Sequence, residues 1–201
     1  MLALVTTRDD DAALAARCAS GDRAAQRDLF LRSRTAVHRT LFRVLGGNQD
    51  VEDLLQETYL AVFRSMGSYG GRASLTTWCC AIATNLALSH LRRRRATPLA
   101  EIEVESDAPS ADRLVRARNA VVRLYRALDR IDPVQRVAFA LAVIDGRSMA
   151  EVAELTGASV PAVKTQVWRA RKALDKRAAA DPLLREYLHD LAGGDDAEEA
   201  G

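Results

Sequence analysis

Apolar positions along this chain recur at steps of three and four, and no stretch alternates as a strand would. "AALAARCASGDRAAQRDLFLRSRTAVHRTLFRVL" reads as two helices broken at Ser20-Gly21-Asp22. Val37, Leu41, Val44 and Leu45 share one face of the second, and Gly46-Gly47-Asn48 stops it. A third helix is expected in "DVEDLLQETYLAVFRSM", with Asp50 as its N-cap and Leu54, Leu55, Thr58 and Val62 on its apolar side. "GSYGGRAS" is a loop, after which Ser74 caps "LTTWCCAIATNLALSHLRRRR".

Periodicity then fails. "ATPLAEIEVESDAPSAD" is a mixture of prolines, acids and small residues, and residues 97–112 are expected to form a linker. Helical spacing returns in "RLVRARNAVVRLYRAL", in "PVQRVAFALAVID" behind Asp132, and in "MAEVAEL", where Ser148 and Glu151 form a capping box. Thr156-Gly157-Ala158 makes a tight turn, and Ser159 caps the last expected helix, with Pro161 tolerated in its first turn. The expected fold is all-α: two small helical domains, residues 12–96 and 113–189, joined by a flexible linker. Residues 1–11 read as a frayed end and residues 190–201 as an acidic, disordered tail.

Composition agrees with helix, since Ala, Leu and Arg dominate and aromatics make up only 5%. The formal charge of +2 conceals an asymmetry. Between 159 and 177, Lys164, Arg169, Arg171, Lys172, Lys176 and Arg177 face the single acid Asp175. No apolar run approaches the ~20 residues of a membrane span. The start lacks a signal-peptide pattern, and three cysteines make no disulfide framework. A cytoplasmic protein without membrane insertion is expected.

Two helices joined by a short turn containing glycine form a helix-turn-helix, and "SMAEVAELTGASVPAVKTQVWRARKAL" fits that description. Val160, Val163, Val167, Ala170 and Leu174 dock its second helix. Lys164, Thr165, Trp168, Arg171 and Lys172 then point away, a set suited to a major groove. Arg169 and the later basic residues suit phosphates. Two roles for Trp168 are open: packing on the helix beneath, or touching DNA.

In order, "DVEDLLQETYLAVFRSM", "YGGRASLTTWCCAIATNLALSHLRRRR", a linker and this helix-turn-helix resemble the extracytoplasmic-function (ECF) sigma factors, over roughly residues 12–180. The resemblance implies a subunit that binds core RNA polymerase and recognises promoter DNA. It implies contacts with the largest-subunit coiled coil and with the flap, and a cognate anti-sigma factor. Glu52, Asp53, Gln56 and Glu57 would meet the coiled coil. Tyr69, Arg72, Ser74, Asn85, Arg92 and Arg93 would meet the minus-ten element. Lys164, Thr165, Trp168, Arg169, Arg171 and Lys172 would meet the minus-thirty-five element. Trp78 has two readings, core or ring face for a base.

Two places depart from the family pattern. Gly70 and Arg72 stand where a basic and an acidic residue are common, and Cys79-Cys80 replaces an apolar–aromatic pair. Neighbouring cysteines on a helix point about 100° apart, so they are read with Cys18 as small buried hydrophobes rather than a metal or redox site. His38, His90 and His189 share no metal spacing, and no nucleophile–base pair is visible. Neither catalytic residues nor a metal or cofactor are expected.

Overall fold

The computed structural model describes residues 8–47, 50–96 and 113–193, and among these every regular element is helical. The helices are α1 (Arg8–Ala19), α2 (Arg23–Leu45), α3 (Asp50–Ser65), α4 (Leu75–Ala96), α5 (Arg113–Asp129), α6 (Pro133–Phe139), α7 (Met149–Thr156), α8 (Val160–Ala178) and α9 (Pro182–Gly193). A 3-10 turn, Met66–Ser68, follows α3, and a π turn, Ala140–Ile144, continues α6. Among the described residues there are two compact units. The first comprises residues up to Ala87 with Ala153–Ala158, and the second Leu88–Val152 with those from Ser159 on. The expected linker, residues 97–112, lies outside the described residues.

In the first unit α2 and α3 run antiparallel. Ser33 stands opposite Tyr59 (Oγ–Oη 2.8 Å) and His38 opposite Glu52 (3.5 Å). Leu29, Val37, Leu41 and Val44 meet a core that also holds Leu54, Leu55, Val62, Leu75 and Cys79, all buried. Three hydroxyls inside this core bond to carbonyls of their own helices. Ser33, Thr58 and Thr84 donate to the carbonyls of Leu29 (2.7 Å), Leu54 (2.6 Å) and Cys80 (2.8 Å). Ser33 uses its one proton there, so Tyr59 donates to it. Burial pushes the Tyr59 phenol up to about 12.

The second unit is built on Leu124, Leu128, Ile131, Phe139, Ala170, Leu174, Ala178 and Leu184, from α5, α6, α8 and α9. Arg136 is buried and pairs with Asp129 while its guanidinium lies 5.9 Å from the Tyr125 ring centre. That pairing is what makes a buried cation tolerable.

Several helix ends follow from the sequence. Asp22 accepts from Ala24 (2.8 Å) and Ala25 (3.1 Å), and Asp132 from Val134 (2.8 Å). The capping box closes in both directions: Glu151 Oε2 accepts from the Ser148 N–H (2.9 Å), and Ser148 Oγ accepts from the Glu151 N–H (3.2 Å). Gly46 (φ 87°) ends α2, and Gly47 (φ 71°) lies so near the Phe42 ring that a Cβ there would sit 2.6 Å from it.

Four expectations are corrected. The chain is helical from Arg8, so residues 8–11 are not a frayed end; Asp11 is buried at 7% exposure and bonded into the unit. Asp50 is the first residue of α3, inside the helix rather than before it. The helix after Asp132 widens into a π turn, where the Asp145 N–H reaches the Ala140 carbonyl (2.9 Å). Asp181-Pro182 starts a further helix, α9, capped by Asp181 at Leu184 (3.1 Å), so residues 190–193 belong to a helix and not to the tail. Residues 194–201 lie outside the described residues.

The three cysteines are free and buried, and burial pushes the Cys79 thiol up to about 12 and raises Cys18 as well. The native protein should therefore resist a charged thiol reagent at pH 8, and all three thiols should react once it is unfolded; rapid labelling of the native chain would contradict this core. The Ser148 hydrogen bonds hold the Glu151 carboxyl below its ordinary 4.5. A depressed folded value means stabilisation present above pH 4.5 and lost as pH falls through that lower value. Thermal melts of the wild type and Glu151→Gln should converge as pH drops below 4.5, because glutamine caps without titrating.

Candidate polymerase and nucleic-acid interfaces

α3 is pinned by Val51, Leu54, Leu55, Thr58, Tyr59 and Val62, all buried. Its opposite face is thereby fixed, and Glu52, Asp53, Gln56 and Glu57 are all exposed on it. Sequence reasoning missed Leu60, which continues this face one turn after Gln56 and Glu57 and is 55% exposed. Its signal was available: it falls three and four residues beyond polar positions, off the apolar stripe. The face is thus acid and amide with one apolar side chain.

The loop between the 3-10 turn and α4 is tied to itself. Tyr69 donates its hydroxyl to the Ala73 carbonyl (2.7 Å), and its ring stands edge-on to Trp78, 5.6 Å between centres. Both rings are partly buried, so Trp78 is neither wholly core nor open. Gly71 (φ 67°) supplies the left-handed residue, and Arg72 projects into solvent beside it. Ser74 caps α4 by accepting from the Thr77 N–H (3.1 Å). Along α4, Trp78, Asn85 and Arg92 fall seven residues apart and share one face, spanning roughly 21 Å at 1.5 Å per residue. Asn85, Arg92 and Arg93 are exposed, while Leu75, Cys79, Ala83 and Ala87 are buried on the other side.

α7 ends at Thr156, Gly157 (φ 67°) turns the chain, and Ser159 caps α8 at Ala162 (3.3 Å). Val163, Val167, Ala170, Leu174 and Ala178 are buried along α8. Lys164, Thr165, Trp168, Arg169 and Lys172 are exposed. Trp168 is 59% exposed, with Lys172 Nζ 5.1 Å from its ring centre, so it is not packed on a helix beneath. Thr165 donates its hydroxyl to the Pro161 carbonyl (2.9 Å). Arg171 differs from the expectation. It is half-buried on the flank of α8, where it lines a cavity of about 540 Å³ with Leu174, Leu188 and His189. Its position at the edge of the apolar stripe, near Val167 and Ala178 in rotation, brings it toward α9 rather than straight outward. Among the described residues, no group of three or more His, Cys, Asp or Glu could hold a metal, and no helix is long and apolar enough to cross a membrane.

Residues 29–97 match the family model for sigma-70 region 2, and residues 122–174 that for sigma-70 region 4. The ECF RNA polymerase sigma factor SigM of Mycobacterium tuberculosis is 34% identical over 164 residues, covering 82% of each chain. The chain belongs to the ECF sigma factors. The ECF RNA polymerase sigma-E factor of Escherichia coli is 27% identical over 187 residues, covering 87% of this chain and 96% of that one. Among solved structures, CnrH in complex with the cytosolic domain of CnrY superposes with a TM-score of 0.59 at 28% identity, covering 85% of this chain and 98% of CnrH.

Within this ECF sigma factor, the α3 face and the loop at Tyr69–Ser74 fall in the region 2 match, and α8 through Leu174 in the region 4 match. α1 and α9 lie outside both matches.

Proposed function

We propose that this sigma factor binds core RNA polymerase through α3, opens the minus-ten element at the Tyr69–Ser74 loop and along α4, and reads the minus-thirty-five element with α8. The observation that carries the reading is one chain exposing both an acid–amide face on α3 and a cationic, hydroxyl and aromatic face on α8. The two faces suit opposite partners. Glu52, Asp53, Gln56 and Glu57 complement a basic protein surface, and Leu60 offers an apolar anchor. Lys164, Thr165 and Lys172 offer base-edge and phosphate contacts in a major groove, with Arg169 positioned for the backbone.

Opening the duplex costs a few kcal/mol per extruded base. A loop that receives an unstacked base offsets that cost. Arg72 and Ser74 flank it, Asn85 offers both an amide donor and an acceptor, and Arg92 and Arg93 track the strand by charge. Residues 12–96 thus act as the region 2 domain and 113–189 as the region 4 domain, with residues 97–112 spanning between their DNA elements. A cognate anti-sigma factor restrains the chain until a stress or signal releases it. The CnrH relative, solved with the cytosolic domain of a second protein, supports a protein partner of this kind. Work with polymerase places the chain in the cytoplasm, and its chemistry is recognition rather than turnover.

Run-off transcription with core polymerase, sequenced across genomic DNA, should yield a small set of promoters sharing two elements. On one such promoter the chain alone should give no specific shift, and the holoenzyme should. Asp53→Arg and Glu57→Arg should each lower core affinity by about tenfold or more, since like charges brought together cost several kcal/mol, with circular dichroism unchanged. Specific binding of the isolated chain to duplex promoter, with no gain from core polymerase, would overturn the proposal.

A further inference from the structure

Asp11 is a buried acid that the proposed function does not use. It lies in α1, outside the residues matched by the region 2 model, and is 7% exposed. Its Oδ2 accepts a hydrogen bond from the Leu75 N–H at 2.9 Å, 64 positions away. Leu75 is the first residue of α4, so that N–H is one of the four donors a helix start leaves without a helical partner. Ser74 satisfies a second of these, that of Thr77. A carboxylate at a helix N-terminus also meets the positive end of the helix dipole. The start of α4 is therefore held by an anion brought from another helix.

The position of this bond matters because of what precedes Leu75. The loop Tyr69–Ser74 ends there. At its other foot stands the 3-10 turn Met66–Ser68, and α1 packs against that turn too. α1 thus grips both feet of one short loop. Within the loop, the Tyr69 N–H reaches the Met66 carbonyl (3.1 Å) and the Tyr69 hydroxyl reaches the Ala73 carbonyl (2.7 Å). The loop is braced internally, and α1 sets where the braced loop stands relative to α4, including Trp78 one turn into that helix.

We infer that Asp11 is a positioning residue for promoter opening: by accepting the Leu75 N–H it fixes the loop that receives the unstacked minus-ten base. This rests on the reading of Tyr69–Ser74 as that receiver. Asp11 touches no DNA in this scheme. It acts through the backbone at Leu75, and α1 becomes a working part of the opening module rather than an appendage to it.

The test uses holoenzyme made from the full chain and a promoter identified by run-off transcription. Forked fragments carry an abasic site at each non-template position of the minus-ten element in turn, and binding is compared with the intact fork. The wild type should lose about tenfold at one position, the amount expected when one stacked base is removed. Asp11→Ala should reduce that ratio to about twofold or less. Asp11→Asn keeps a side-chain oxygen able to accept the Leu75 N–H, and it should retain most of the wild-type ratio. Each ratio is taken within one variant, so a partly unfolded fraction cancels. A wild-type ratio in Asp11→Ala overturns the inference, as does an Asp11→Asn ratio no better than that of Asp11→Ala. A wild type insensitive at every position overturns the reading of the loop instead.

Discussion

Val163, Val167, Ala170, Leu174 and Ala178 leave α8 no freedom to turn about its axis. Each large member of that stripe gains roughly 1.5–3 kcal/mol by burial. Rotating the helix by one position, about 100°, would expose most of the stripe and bury Lys164 or Arg169. An exposed surface ion pair, by contrast, is worth at most about 1 kcal/mol. Burial therefore decides the orientation, and charge rides on whatever face burial leaves. The same holds for α3, where six buried positions dictate that Asp53, Gln56 and Glu57 face outward. Two interfaces of opposite chemistry are consequences of two apolar stripes.

Orientation alone does not place a face along the helix axis; the helix ends do. Ser148, Ser159, Ser74 and Asp132 each stop the chain's other options by offering an acceptor to N–H groups without a helical partner. At the far end of α8, Arg185 from α9 donates to the carbonyls of Ala178 and Ala179 (3.3 and 2.6 Å). Arg123–Asp181 (3.0 Å) and Arg116–Glu186 (3.4 Å) tie α9 to α5. The helix read as the DNA reader is thus capped at its start by its own sequence and at its end by a neighbour.

Features that depend on residues close in sequence are legible in the sequence itself. The capping box, the Gly157 turn, the stripe of α8 and the outward set of α3 all lie within a few turns of the residues that define them. Features that depend on distant partners are not. Asp11 reads as part of a frayed acidic start because its partner lies 64 positions away. Arg171 points outward by spacing alone, but it stands at the edge of the stripe, where α9 closes over it. α9 itself carries a readable signal, Asp181-Pro182 followed by apolar residues at helical spacing, masked by the acids that come after it. Pattern leaves Trp168 open, because the stripe of α8 is complete without it.

On the proposed function, two surfaces of one chain address two separate stretches of one promoter. Because the native cysteines are buried, a single exposed cysteine in place of Trp168 or of Arg72 can be labelled selectively with a DNA-cleaving iron chelate. In holoenzyme bound to promoter, cleavage from position 168 should centre on the upstream duplex element, and cleavage from position 72 on the downstream element that opens. Cuts from both positions at the same element, or none above background from either, would contradict it.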